Sequence, residues 1–370
     1  MEFGRGAAEL VCAETLAQGR SVLLIRGRSV AWVDQLVQDL MANGAEVTTV
    51  VCCKEPSVGM VEDALQIGRA ADADAVLSVG GGSVIDLGKA VAALLPCGGT
   101  VMDYLEGVGA AKQLGSNPLP FIAVPTTSGT GAEVTRNAVI LVPEEGRKVS
   151  LRDGRMLPDL AIVDPALTDR APRDQTLASG LDALTQVIEP YVSHRANPLT
   201  DALCRAAIPL GARALAKLSR QEDQSARDDM AFVSLAGGLA LANAGLGAVH
   251  GLAGVLGGRV GAPHGLICGR LLGPVLAANA ATMEGSGADV RRFKEITQWL
   301  AEGFGQSAET VIEHLPVTLD EWQVPRLSQW LTDQTDLGAI AKEAAGASSM
   351  RANPCVLPPS VLVDVMRDAL

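Results

Sequence analysis

The amino-acid sequence predicts an α/β unit over residues 1–165 followed by an all-helical unit over residues 166–370. Three observations predict it. Short β-type runs alternate with helical stretches through the first 165 residues, the β-type signal fades from about Leu177, and Ala/Leu/Gly-rich segments of helical periodicity take over. A chain of 370 residues exceeds what one core usually serves, and 48% hydrophobic content is enough to fill two. With 3% aromatic residues the cores should be small-aliphatic.

In chain order, Ser21 to Ile25, Ala45 to Val50, Ala75 to Val79 and Phe121 to Val124 read as strands. Strands separated by helices imply a parallel, doubly wound sheet. The joint is expected near Val163-Asp164-Pro165, before the cap-like pair Thr168/Asp169. Leu199 to Leu218 and Met230 to Ala244 read as helices. With no repeat, low-complexity tract or long linker, the two halves should pack directly and share a cleft.

A net charge of −12 without a Lys/Arg cluster argues against a nucleic-acid partner. Met1 to Leu10 has no basic-then-apolar leader, and no uninterrupted apolar run of about 18 residues follows, so a cytoplasmic protein without a membrane partner is expected. The seven cysteines show no C-x-x-C spacing and read as buried thiols.

Two loops point to a nucleotide. Gly80-Gly81-Gly82-Ser83 lies between a strand-like run and the helix-competent Val84 to Leu95. Such glycines let a backbone approach a pyrophosphate, whose charge suits a helix N-terminus. The pattern is not G-x-G-x-x-G, and a tight βα turn would look the same. Asp86 and Lys89 follow in the first turns, where an acid also suits the helix dipole. The second loop, Pro125 to Gly131, places hydroxyls after a strand and leads into Glu133, Thr135 and Asn137.

Only four histidines occur, and His250 and His264 bracket a Gly-rich stretch. A helix ending near Gly257/Gly258 and a turn before Pro263 would bring them together. Two His and a carboxylate commonly hold a divalent metal. Asp182 is the carboxylate candidate, with Gln186 one helical turn later on the same face. On spacing alone, two unrelated histidines are an equal reading.

The segments GGGSVIDLGKA (80–90), PTTSGTGAEVT (125–135), ASGLDALTQVIEPYVS (178–193), NPLTDAL (197–203) and HGLAGVLGGRVGAPHG (250–265) resemble, in order, the signatures of the iron-containing (group III) alcohol dehydrogenases. The tail MRANPCVLP is similar too, so the likeness covers nearly the whole chain. It implies a dinucleotide-binding, Rossmann-like parallel-sheet domain followed by an all-helical metal-binding domain, a dehydroquinate synthase-like architecture with the active site between. It assigns metal binding and catalysis to Asp182, His250 and His264, with Gln186 standing where the family has a further His. A Gln amide oxygen is a weaker ligand than imidazole, so affinity should fall and the choice between Fe(II) and Zn(II) could shift, with Gln186 a fourth or water-bridged ligand. Gly254 replaces another His found beside the substrate in many members, leaving the proton to depart through water or the cofactor ribose. His194 and His314 match no ligand and read as surface or cap residues.

The same resemblance assigns Gly81, Gly82 and Ser83 to the pyrophosphate, Thr126, Thr127 and Thr130 to the nucleotide, and Asp86, Asn137 and Lys148 to further cofactor contacts. Gly27 and Ser29 join them after the first strand. There Arg26-Gly27-Arg28-Ser29 carries no acid to repel a 2′-phosphate, which favours NADP over NAD. The implied protein is a homodimeric NAD(P)-dependent oxidoreductase acting on a small alcohol or aldehyde with metal assistance. Asp103, in a loop expected near the cleft, reads equally well as a cap. The competing readings are a maleylacetate-reductase-like keto-acid reductase, a metal-dependent cyclising or eliminating enzyme, and a non-catalytic nucleotide-binding relative.

Overall fold

The computed structural model describes every residue except Ser29, Ala31 and Asp333. It divides into Met1–Thr127 with Ala132–Thr168, and Ser128–Gly131 with Asp169–Leu370. Among the described residues the first unit has strands β1 (Glu2–Phe3), β2 (Ser21–Gly27), β3 (Glu46–Cys52), β4 (Ala75–Gly80), β5 (Phe121–Pro125), β6 (Asn137–Val142), β7 (Arg147–Arg152) and β8 (Leu160–Val163). Six form a parallel sheet in the order β1-β8-β5-β4-β2-β3. β4 and β5 are buried along their whole length, as unbroken apolar strands of a sheet covered on both faces must be.

Helices α1 (Val11–Gln18), α2 (Trp32–Ala42), α3 (Val58–Ala70) and α4 (Gly82–Leu94) supply the covers. The strand pleat sorts side chains between them. Val22 and Leu24 of β2 pack with Val11, Leu36 and Leu40 of α1 and α2, whereas Leu23 and Ile25 pack with Leu65 and Ile85 of α3 and α4. This is the predicted doubly wound arrangement.

The sequence reading did not anticipate β1, β6, β7 or β8. The first unit is consequently not purely parallel, because β6 and β7 form an antiparallel pair of their own. In β7, Arg147, Lys148 and Arg152 stand among Val149 and Leu151, so the apolar alternation of a half-buried strand is set among charges that hide it.

β2 is flanked by β3 on one side and β4 on the other, so the winding direction reverses there. Registers Arg26↔Val79 and Gly80↔Pro125 bring Gly27, Gly80 and Pro125 to the carboxyl ends of three neighbouring strands. Ligands of open α/β sheets bind at this kind of reversal point.

The second unit is helical among its described residues: α5 (Arg173–Val192), α6 (Pro198–Leu218), α7 (Gln224–Ala244), α8 (Ala248–Val260), α9 (His264–Gly285), α10 (Arg291–Phe304), α11 (Val311–Glu321), α12 (Leu337–Ala345) and α13 (Pro359–Asp368). α5 is buried without interruption from Gly180 to Val192, so its polar side chains need internal partners. α8 continues past the expected end at Gly257/Gly258 to Val260; the stop is Gly261, whose φ of 68° suits a residue without Cβ. Among the described residues α9 is the one single helix long and apolar enough by composition to cross a membrane, and 61% of that stretch is buried within the protein, as in a core helix; α7 and α8 pass the same test only as a pair, bent by 103°.

The cysteines are only partly the buried thiols expected. Cys52, Cys97, Cys204 and Cys268 are buried, Cys12 and Cys355 are half-buried, and Cys53 is exposed.

Candidate functional site

Asp182 on α5, His250 in the first turn of α8, and His264 and Cys268 on the first turns of α9 converge in the second unit. One ligand atom from each lies within 4.8 Å of all the others. Two glycines make the approach of α9 to α5 this close. A Cβ on Gly265 would sit 1.9 Å from the Ala178 carbonyl oxygen, and one on Gly269 would sit 2.6 Å from the Leu181 side chain. Each glycine directly follows a donor, His264 or Cys268, so the backbone contact holds the donors beside Asp182. His250 Nε2 is 3.2 Å from Asp182 Oδ1, His264 Nε2 is 3.9 Å from the same oxygen, and Cys268 Sγ is 3.7 Å from His264 Nε2.

Glu189 completes the arrangement from behind. Its carboxylate accepts the His250 Nδ1–H at 2.6 Å and the Val249 N–H at 2.7 Å. This keeps a proton on Nδ1 and turns Nε2 toward the other donors, where it hydrogen-bonds Asp182 in the metal-free protein and would present its lone pair once a cation displaces that proton, as in a carboxylate-oriented metal ligand. Burial opposes charge at all four donors. Even so, Asp182 is held below its usual value by the His250 hydrogen bond and the His264 charge, and both imidazoles draw the Cys268 thiol down. Burial likewise works against His250 and His264, yet both are raised by the Cys268 sulfur, with Glu189 adding to the effect on His250. His264 is 31% exposed and forms the accessible side. An oxygen, two imidazole nitrogens and a sulfur around one centre fit a divalent transition metal.

Gln186 lies one turn beyond Asp182 and is buried, and its Nε2 donates to the Thr130 carbonyl at 2.7 Å. Gly254 opens onto free space: a Cβ there would meet nothing within 4 Å. His194 and His314 are exposed and stand apart from the cluster; His194 Nδ1 lies 3.1 Å from the Asn353 carbonyl.

In the first unit the two predicted loops meet. The Thr126 N–H donates to the Gly80 carbonyl at 2.9 Å, and a Cβ on Gly81 would lie 3.1 Å from Thr127 Oγ1, a crowding that glycine avoids where the two loops meet. Gly81 is the N-cap of α4, and Gly82 and Ser83 open its first turn, where unpaired N–H groups and the dipole favour an anion. Gly27 ends the neighbouring strand β2 and Arg28 beyond it is exposed; the expected contact Ser29 lies outside the described residues. Thr130 belongs with the second unit, so the second loop contributes residues to both units.

Lys89, noticed only as a residue early in the helix, organises this region. Fully buried, its Nζ donates to the Ala132 carbonyl at 2.7 Å, the Asn137 carbonyl at 2.8 Å and Thr135 Oγ1 at 3.0 Å, tying the second loop to α4. Asp86 lies 3.8 Å from that ammonium and accepts the Val139 N–H at 3.1 Å, which gives it a loop-anchoring part. Burial raises Asp86 to about 6 despite Lys89, and raises buried Glu133 to about 7. Lys148 pairs with Glu55 at 2.6 Å. Asp103 is a cap: it accepts the Thr100 N–H at 2.8 Å and pairs with Lys112 at 2.7 Å.

Sequence reasoning missed Cys268 and Glu189. Both were within reach of helical periodicity: Cys268 is one turn after His264, and Glu189 is two turns after Asp182.

Comparison with known proteins bears on the family and the fold. Residues 1–165 match the sequence profile of "Iron-containing alcohol dehydrogenase", and residues 176–370 match "Fe-containing alcohol dehydrogenase family, C-terminal". The NAD-dependent methanol dehydrogenase of Bacillus methanolicus is 30% identical over 100% of this chain and 97% of its own length. Alcohol dehydrogenase 4 of Schizosaccharomyces pombe is 40% identical over 61% of this chain, and long-chain-alcohol dehydrogenase 1 of Geobacillus thermodenitrificans is 44% identical over 64%. These last two matches span only 53% and 60% of the relatives' own lengths. Among solved structures, a 1,3-propanediol oxidoreductase superposes with a TM-score of 0.89 at 31% identity, covering 100% of this chain and 97% of its own. The iron-containing alcohol dehydrogenase from Thermococcus thioreducens gives 0.88 at 27% identity, covering 100% and 97%. With both of its units matched, the chain belongs to the iron-containing alcohol dehydrogenase family, oxidoreductases that act on alcohols.

Proposed function

We propose that this chain catalyses the reversible NAD(P)-linked oxidation of a small alcohol to its aldehyde, with Asp182, His250 and His264 holding a divalent metal, Fe(II) or Zn(II). The observation that carries the reading is the convergence of these donors with Glu189 fixing the His250 tautomer. When bound, nicotinamide supplies the hydride acceptor and the cation a Lewis acid for the substrate oxygen. The residues do the rest. Gly81, Gly82 and Ser83 receive the pyrophosphate at the start of α4, Thr126 and Thr127 adjoin that turn, and Thr130, Asn137 and Lys148 extend the nucleotide site. Asp86 and Lys89 hold that loop in shape. Exposed Arg28 at the end of β2, with no acid in the 26–29 segment, favours a 2′-phosphate and therefore NADP. Gln186 acts from the outer sphere through water. Gly254 leaves room for substrate beside His250 and offers no group for the proton, which leaves through water or the cofactor ribose. A homodimer in the cytoplasm belongs to the same reading.

The test follows nicotinamide absorbance in both directions with a panel of small alcohols and aldehydes, NAD and NADP, with and without added Fe(II) or Zn(II). Metal-stimulated turnover, faster with NADP and losing that preference in Arg28→Ala, is expected. Nucleotide binding without turnover on any alcohol or aldehyde would overturn the proposal in favour of a non-catalytic relative, and turnover confined to unsaturated keto acids would overturn the substrate class.

A further inference from the structure

We propose that Cys268 is a direct metal ligand, its thiolate occupying the fourth place that the change to Gln186 left without an imidazole. The inference rests on the reading of Asp182, His250 and His264 as a metal centre. Three observations carry it further. First, the sulfur is inside the donor group: all four ligand atoms lie within 4.8 Å of one another, and Sγ is 3.7 Å from His264 Nε2. Metal–ligand bonds of about 2.0–2.3 Å place neighbouring donors of a tetrahedron roughly 3.3–3.6 Å apart, so spacings of 3.2, 3.7 and 3.9 Å close onto one ion by small side-chain rotations. Second, the sulfur is held there. Cys268 is one helical turn after His264 on the same face of α9, and Gly269 seats that face against Leu181, one residue before Asp182. Third, the Gln186 side chain is fixed through its amide nitrogen, which donates to the Thr130 carbonyl, and through its packing on Gly237; its one remaining donor is a neutral amide oxygen, a weaker ligand than a thiolate.

The resulting set is Asp, His, His, Cys. On loading, the thiol gives up its proton to solvent and the sulfur donates an electron pair to the ion; nothing is oxidised or reduced. Thiolate is a soft ligand, and exchanging an imidazole for it moves preference from Fe(II) toward Zn(II). The altered position is then half of a compensated exchange: Gln186 anchors the Thr130 segment and Cys268 restores the coordination number.

X-ray absorption at the zinc edge of the zinc-loaded full chain tests this without any substitution. The expected result is a sulfur shell at about 2.3 Å beside nitrogen and oxygen at about 2.0–2.1 Å. Cys268→Ser should abolish the sulfur shell and weaken Zn(II) binding, read by chelator competition, by about 100-fold or more, at or beyond the upper end of what losing an outer-shell partner costs. Cys268→Ala provides a second variant should the serine protein fail to fold. In the cobalt-loaded protein the thiolate-to-cobalt charge-transfer band should be present in the wild type and absent from either variant. A shell of nitrogen and oxygen only would overturn the Cys268 assignment and leave the metal centre standing. A sulfur shell that persists without Cys268 would likewise overturn it. A protein that binds Fe(II) but no zinc would overturn the Cys268 assignment alone, and one that binds neither would overturn both readings.

Discussion

Two buried polar centres, one in each unit, are built on opposite principles. Around Lys89, three N–H donors meet three protein acceptors, and Asp86 balances the charge. That centre is closed, and its product is a shaped loop. Around Asp182, a carboxylate, two imidazoles and a thiol direct electron pairs at one point. A cluster of that kind calls for a cation. The difference separates a structural polar node from a ligand site without reference to any relative: in the first a cation of the protein itself is ringed by acceptors, and in the second four groups able to give an electron pair to a cation face one another.

The comparison is broken most severely on the structural side, through pH. Burial raises Glu133 from 4.5 to about 7, so the folded chain binds a proton there that the unfolded chain releases. This stabilisation is fully present below pH 4.5 and is lost as pH rises through about 7, an effect of about 3 kcal/mol. Urea unfolding of wild type and Glu133→Gln at pH 4.5 and above pH 7 should show the stability difference between them shifting by that amount in favour of the variant at the higher pH. A pH-independent difference would mean that Glu133 is not buried in the folded protein.

On the ligand side, Glu189→Gln removes the charge that orients His250 while keeping the shape. Metal affinity should fall 10- to 100-fold, roughly 1.4–2.7 kcal/mol, with little change in the unfolding of the metal-free protein. An unchanged affinity would make Glu189 a packing residue. The smallest effect concerns two glycines of the ligand helices. Gly254→Ala meets free space in the middle of α8 and should stabilise the protein by about 0.5–1 kcal/mol. Gly265→Ala, aimed at a carbonyl 1.9 Å away, should destabilise it. Equal responses in thermal unfolding would contradict the close contact of α9 with α5.

How far these features were legible in the sequence follows from their periodicity. The buried strands Ala75–Gly80 and Phe121–Pro125 are unbroken apolar runs, and the loops after them are marked by glycine and threonine. The β6–β7 hairpin was hidden because Arg147, Lys148 and Arg152 interrupt its alternation. Asp182, His250 and His264 were recognisable because histidine is rare here and the spacing between the last two matches a known pattern. Cys268 was not, since a lone cysteine in an apolar helix reads as a core residue, and its helical offset from His264 matters only once His264 is known to open α9. Lys89 was underestimated for the converse reason: a charged residue in the second turn of a helix suggests exposure, and only the packing of loop 126–137 against α4 buries it.

Whether the convergent donors of the second unit form a metal centre is decided by calorimetric titration of the metal-free protein with Zn(II), and anaerobically with Fe(II). A single saturable site is expected in the wild type and is lost in His250→Ala while the variant still folds; a wild type without a saturable site, or a His250→Ala variant that binds as tightly as the wild type, would show that these donors hold no metal.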